Sequence, residues 1–102
     1  MKNYWVEHNS IEISKFDKDF KKHDGTRESL EEIIKSHPEC SDNQDKYNTL
    51  EEALKKASMP YCREMEGNAY RYLLIEYDTI WEEDTEEDTF DSLGVYGIDI
   101  EK

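Results

Sequence analysis

Residues 69–81, AYRYLLIEYDTIW, constrain the fold of this chain more than any other stretch. Aromatic and β-branched residues dominate it, which suits a pleated and largely buried strand. Its Leu73-Leu74-Ile75 centre is apolar on both faces, the pattern of a strand inside a sheet. Alternation sends Leu73, Ile75, Tyr77 and Trp81 to one face and Tyr70, Tyr72, Glu76 and Asp78 to the other.

Upstream, residues 3–8 (NYWVEH) and 11–16 (IEISKF) read as a hairpin turning at Asn9-Ser10, with Trp5 opposite Ser14. Phe16 and Phe20, four apart after the candidate N-cap Ser14, predict a short helix over 15–23. Leu30, Ile33 and Ile34 have amphipathic helical spacing between Thr26 and His37, and Pro38 ends that run. Residues 38–48, PECSDNQDKYN, read as a polar loop. Thr49, with Glu52 three residues on, is a capping box that opens a helix. Residues 61–66 (YCREME) predict a strand that turns at Gly67-Asn68 into the central one. VYGIDIE at 95–101 alternates again, with Tyr96, Ile98 and Ile100 on one face. The order β-β-α-α-β-β predicts one small α+β domain over 1–102, an antiparallel sheet of about four strands with two or three helices on one face.

Charge narrows the function. The net charge is −13, and residues 76–102 hold eleven acids against Lys102 alone. Residues 1–75 are nearly balanced, with fifteen acids and twelve Lys or Arg. Two Trp, seven Tyr and three Phe are more aromatics than a disordered acidic chain carries, so the acids belong to a folded domain. Such a field opposes direct nucleic-acid binding, which needs cations to replace released counterions. It favours a basic protein partner and salt-sensitive association. Lys15, Lys18, Lys21 and Lys22 form the one basic cluster, which would let the acidic end pair within the chain or with a second copy as a homodimer. The start, MKNYWVEHNS, lacks the apolar run of a signal peptide, and no stretch is long enough for a membrane span. Two cysteines are too few for a disulfide framework, so a cytoplasmic protein with reduced thiols is expected.

Catalytic motifs are absent, and the expectation is a protein that is not an enzyme and uses no cofactor or metal. His37 and Cys40 have H-x-x-C spacing and Cys62 offers a third soft ligand, but the second ligand pair of a structural zinc site is missing. The four glycines are scattered, which leaves no phosphate-cradling loop. WEEDTEEDTFD fails as a calcium loop: counting from Asp84 puts Thr89 where the turn needs glycine and Val95 where the bidentate Glu belongs. A recognition surface remains. In an extended segment Glu82, Asp84, Glu86 and Asp88 would stand about 6.6 Å apart, close to phosphate spacing. The predicted partner-binding set is Glu76, Asp78, Trp81, Glu82, Glu83, Asp84, Glu86, Glu87, Asp88, Phe90 and Asp91, with Trp81 and Phe90 as aromatic anchors.

In its charge profile, and in EEDTEED above all, the chain resembles small acidic inhibitors of nucleic-acid enzymes. These include anti-CRISPR and antirestriction proteins of phages and mobile elements. The resemblance implies an inhibitor that docks carboxylates where an enzyme binds phosphates. Immunity proteins that neutralise basic nuclease toxins are similar in composition and stand as the alternative, with a small Cys/His metal protein using His37, Cys40 and Cys62 behind them.

Overall fold

The computed structural model describes residues 1–20, 26–37 and 40–100, apart from the side chains of Asp19 and of residues 40–42. In chain order the elements are β1 (Lys2–Ser14), a 3-10 turn (Lys18–Phe20), α1 (Arg27–Ser36), β2 (Cys40–Tyr47), α2 (Leu50–Lys56), β3 (Tyr61–Glu66), β4 (Arg71–Asp84) and β5 (Thr89–Val95). The class is the α+β one predicted, with five antiparallel strands and two α-helices. β1 follows one edge of β4 without a break, from Lys2 opposite Asp84 to Ser14 opposite Tyr72. The other edge of β4 is shared: β3 takes residues 71–76 and β5 takes 79–84. β2 pairs with the outer edge of β1.

The β1–β4 ribbon explains why the first 14 residues looked like a hairpin. Buried apolar residues sit at Val6 and then at Ile11 and Ile13, so their parity changes in mid-strand. A hairpin produces such a change, but here one unbroken strand buries one face near its start and the other face near its end. Val6 pairs with Ile80, and Ile11 pairs with Ile75. The backbone passes straight through Asn9, whose buried amide donates to Thr79 Oγ1 at 3.0 Å and to the Glu7 carbonyl at 3.3 Å.

Two separate apolar clusters result. The first contains Ile11, Ile13, Leu73, Ile75, Tyr77 and Val95 under Ile33 and Ile34 of α1. The second contains Val6, Ile80 and Tyr96 under Ala53 of α2. Because Ile75 and Ile80 differ in parity, the two helices cover opposite faces of the ribbon at opposite ends, not one face as expected. Among the described residues, each face therefore has a covered half and a half without a helix. The chain extends over 48 × 25 × 21 Å, and its radius of gyration of 15.1 Å exceeds the roughly 13 Å of a globule this size.

Local sequence sets both helices. The Thr26 hydroxyl caps α1 by accepting from Ser29 N, and the Thr49 hydroxyl caps α2 by accepting from Glu52 N, each at 3.2 Å. Three expectations differ from the structure. Residues 40–47 form β2, because an edge strand with one neighbour can be as polar as CSDNQDKY. The predicted helix over 15–23 appears as the Lys18–Phe20 turn with Phe16 78% exposed, and residues 21–23 lie outside the described part. Residues 96–100 form a tight turn, not a strand: Gly94 and Gly97 have φ of 115° and 87°, and Ile98, Asp99 and Ile100 N–H groups all donate to the Val95 carbonyl. Ile98 consequently joins the first cluster, while Tyr96 and Ile100 join the second.

Candidate protein-binding site

The acid block is the hairpin that joins β4 to β5. Glu82 faces Asp91, Glu83 faces Phe90 and Asp84 faces Thr89 across the strands, and residues 85–88 turn between them. Asp84 makes the turn: its Oδ1 accepts from the amides of Glu86 at 3.0 Å and Glu87 at 3.3 Å. Those two amides, Glu87 foremost, hold the Asp84 carboxyl below its ordinary value, and the charges of the N-terminal amine and Lys2 act in the same direction. Asp88 takes φ 55°, a left-handed position that Asp tolerates better than most residues. The base is fastened to the start of β1, where both Thr85 N and Thr85 Oγ1 donate to the Met1 carbonyl.

This turn breaks the extended row of carboxylates predicted from sequence. Glu82 and Asp84 share a face of β4, but Glu86 and Asp88 belong to the turn and do not prolong the row. The result is a compact acidic tip, seven carboxylates within residues 82–91. Two cations answer them among the described residues. Lys2 Nζ lies 3.3 Å from Glu82, and the Met1 amine lies 3.2 Å from Glu86 with both groups largely exposed. Pairs so exposed contribute little.

The predicted anchors do come together. The Trp81 and Phe90 rings stack with centroids 5.1 Å apart and 12° between their planes. Trp5 joins them, because β1 pairs it with Trp81, not with Ser14 as the hairpin register required. Lys46 of β2, paired with Trp5, holds its ammonium 5.9 Å from the Trp5 ring centroid. Asn3, Trp5 and Glu7 of β1 alternate down the same face as Glu83, Trp81 and Thr79 of β4. Glu83 Oε1 accepts from Asn3 Nδ2 at 3.3 Å and from Trp5 Nε1 at 3.4 Å. This is the half-face without a helix, since α1 packs at the far end and α2 on the opposite face. Trp5, Glu7 and Lys46 were not legible as site residues; only the β1–β4–β2 register brings them there.

Two predicted residues stand elsewhere. Asp78 is buried and structural: Oδ2 accepts from Ser58 N at 2.8 Å, and Oδ1 lies 2.8 Å from His8 Nδ1. Glu76 accepts from the Tyr61 hydroxyl at 2.6 Å and pairs with Arg63 at 3.3 Å, on the face away from Trp81. Tyr70 meets Phe16 at 6.0 Å at the opposite end of β4, far from the hairpin.

Of the residues weighed for chemistry, Cys40 has its side chain outside the described part. Among the described residues no three His, Cys, Asp or Glu groups are placed to hold a metal ion. His37 Nδ1 lies 2.9 Å from the Ile33 carbonyl at the end of α1. Burial pushes the Cys62 thiol up, away from reactivity. A cleft of about 400 Å³ lies beside Cys62 and Arg27, and one of about 220 Å³ beside His8 and Asp78; the acidic tip lines neither. No described helix is long and apolar enough to cross a membrane. No protein-family model, curated sequence or solved structure matches this chain.

Proposed function

We propose that this chain is a cytoplasmic, non-enzymatic inhibitor that docks its acidic β4–β5 hairpin on the basic nucleic-acid-binding region of an enzyme, in the manner of anti-CRISPR and antirestriction proteins. One observation carries the reading. Seven carboxylates and a stacked Trp81–Phe90 pair occupy one end of the molecule, with Lys2 and the Met1 amine as the described cations against them. Cations that hold a phosphate backbone would be met by carboxylates on a rigid hairpin, and the aromatic pair supplies the contact area that charge alone lacks. Predocked carboxylates exclude nucleic acid without any chemistry.

The test replaces Glu82, Glu83, Asp84, Glu86, Glu87 and Asp88 with Gln or Asn. A cationic nuclease retained from host extract at low salt serves as partner, in competition with duplex DNA. Loss of at least about tenfold in affinity, with a flatter dependence on salt, is expected when six charges leave an electrostatic interface. Undiminished inhibition by the neutralised hairpin at low salt would sink the reading. A partner whose nuclease acts on the host's own cells would place the same surface in an immunity role.

A further inference from the structure

The helix-free half-face behind the hairpin carries more than a contact area. Glu83 and Glu7 are both half-buried, and they stand diagonally above and below the Trp5–Trp81 pair. No described cation pairs with Glu83, whose partners are the neutral Asn3 and Trp5 donors. Glu7 Oε1 is buried with no hydrogen-bond partner. Buried charge is ordinarily paired with opposite charge, and here two carboxylates without a described cationic partner flank two indoles. The chain's own Lys46 shows what the spot attracts, because its ammonium lies over the Trp5 ring at cation–π distance.

We propose that this half-face is an arginine-docking platform: a guanidinium from the basic partner displaces Lys46 from Trp5, stacks on the aromatic surface and is neutralised by Glu83. The inference rests on the reading of the hairpin as a docking surface for a basic protein and adds the side chain that anchors it. Arginine fits better than lysine on physical grounds. Its planar, weakly hydrated guanidinium stacks on an indole while its edge donates to a carboxylate, whereas an ammonium keeps its water and offers a point charge. The acidic hairpin beside the platform draws in the basic segment; the platform selects among its residues.

Both tryptophans of the chain are on the platform, so indole emission and the two indole N–H resonances report this face alone. The whole protein is titrated with nona-arginine and nona-lysine peptides at moderate salt. Nona-arginine should bind about tenfold more tightly and shift both indole resonances, in line with stacked cations being worth more than a kilocalorie when desolvated. Glu83→Gln and Phe90→Ala should each erase most of that preference by lowering nona-arginine affinity much more than nona-lysine affinity; Phe90 is 48% exposed, so its loss leaves the fold intact. Lys46→Gln should tighten nona-arginine binding more than Lys55→Gln on α2, which removes the same charge away from the platform. Equal affinity for the two peptides would overturn the guanidinium site and leave the acidic hairpin as a general cation surface. A preference that survives both Glu83→Gln and Phe90→Ala would overturn the platform as its seat. Failure to bind either peptide would overturn this inference and the proposed function together.

Discussion

The two halves of β4 obey the same alternation and meet opposite fates. From Tyr72 to Glu76 the strand lies between β1 and β3, and Leu73, Ile75 and the adjoining Tyr77 pack in one buried cluster with α1. From Thr79 to Asp84 it lies between β1 and β5, and the same face carries Trp81 and Glu83 with no helix above them. Cover is the difference. Where a helix adds Ile33 and Ile34, the buried residues are apolar; where no described helix does, the buried residues are the polar Asn3, Asn9 and Thr79, with the half-buried Trp5 and Trp81 on the same face. Aromatic rings with a polar edge suit such a position, since they shield polar groups and still tolerate water. One half of the strand thus carries core, and the other carries a half-buried aromatic and acidic face.

The sharpest test substitutes one residue on this face in each half. Ile75 is fully buried and packs among Ile11, Ile13 and α1, so Ile75→Ala should cost about 2–5 kcal/mol in urea denaturation. Phe90→Ala, on an exposed ring, should cost less than about 1 kcal/mol. Similar costs for the two would erase the distinction, because the Trp81–Phe90 stack would then be a third piece of core.

Much of the first half was legible in the sequence, and little of the second. Leu73-Leu74-Ile75 announced an interior strand, and Thr49 with Glu52 announced the start of α2, because both are local patterns. The acidic tip was legible as charge but not as shape: a run of acids reads as extended until a turn is identified, and this one rests on the Asp84 side chain. Trp5 was misplaced for a different reason. Its position depends on a 13-residue register with a strand some 70 residues later, and the parity change between Val6 and Ile11 imitated a hairpin. The opposed helices follow from that same parity change.

Next in size is Gly94→Ala. β5 carries an extra residue at its pairing shift, Ile80 facing Gly94 while Trp81 faces Ser92, and the chain then sends Val95 into one cluster and Tyr96 into the other. Gly94 has φ 115°, and a Cβ there would stand 2.5 Å from Asp99 Cβ. Strain and contact together should cost about 1–3 kcal/mol. Because the bulge joins the two halves, near-UV circular dichroism of both tryptophans should change along with the melting temperature. A stable variant with unaltered tryptophan signals would show that the hairpin is positioned without the bulge.

The smallest effect probes the boundary between the halves. His8 lies there, with Nδ1 2.8 Å from Asp78 of β4 and Nε2 3.2 Å from Asp45 of β2, while Asp78 also holds the Ser58 amide just after α2. Burial lowers the pKa of His8, but hydrogen bonds and charge from Asp78 and Asp45 outweigh it, and the imidazole titrates above its ordinary value of 6.5. A value raised by folding gives a stabilisation that is complete below 6.5 and is lost as pH climbs through the folded value. The melting temperature should therefore fall as pH rises from about 6.5 through the folded value, and His8→Asn, which does not titrate there, should flatten the decline. Hydrogen exchange at Lys46 and Ser58 should quicken on the alkaline side beyond its intrinsic pH dependence, because β2 and the segment after α2 both depend on this tie. A wild-type profile already flat would mean that the Ser58 amide alone holds Asp78, and that backbone pairing rather than charge keeps the covered half of β4 in register with the open one.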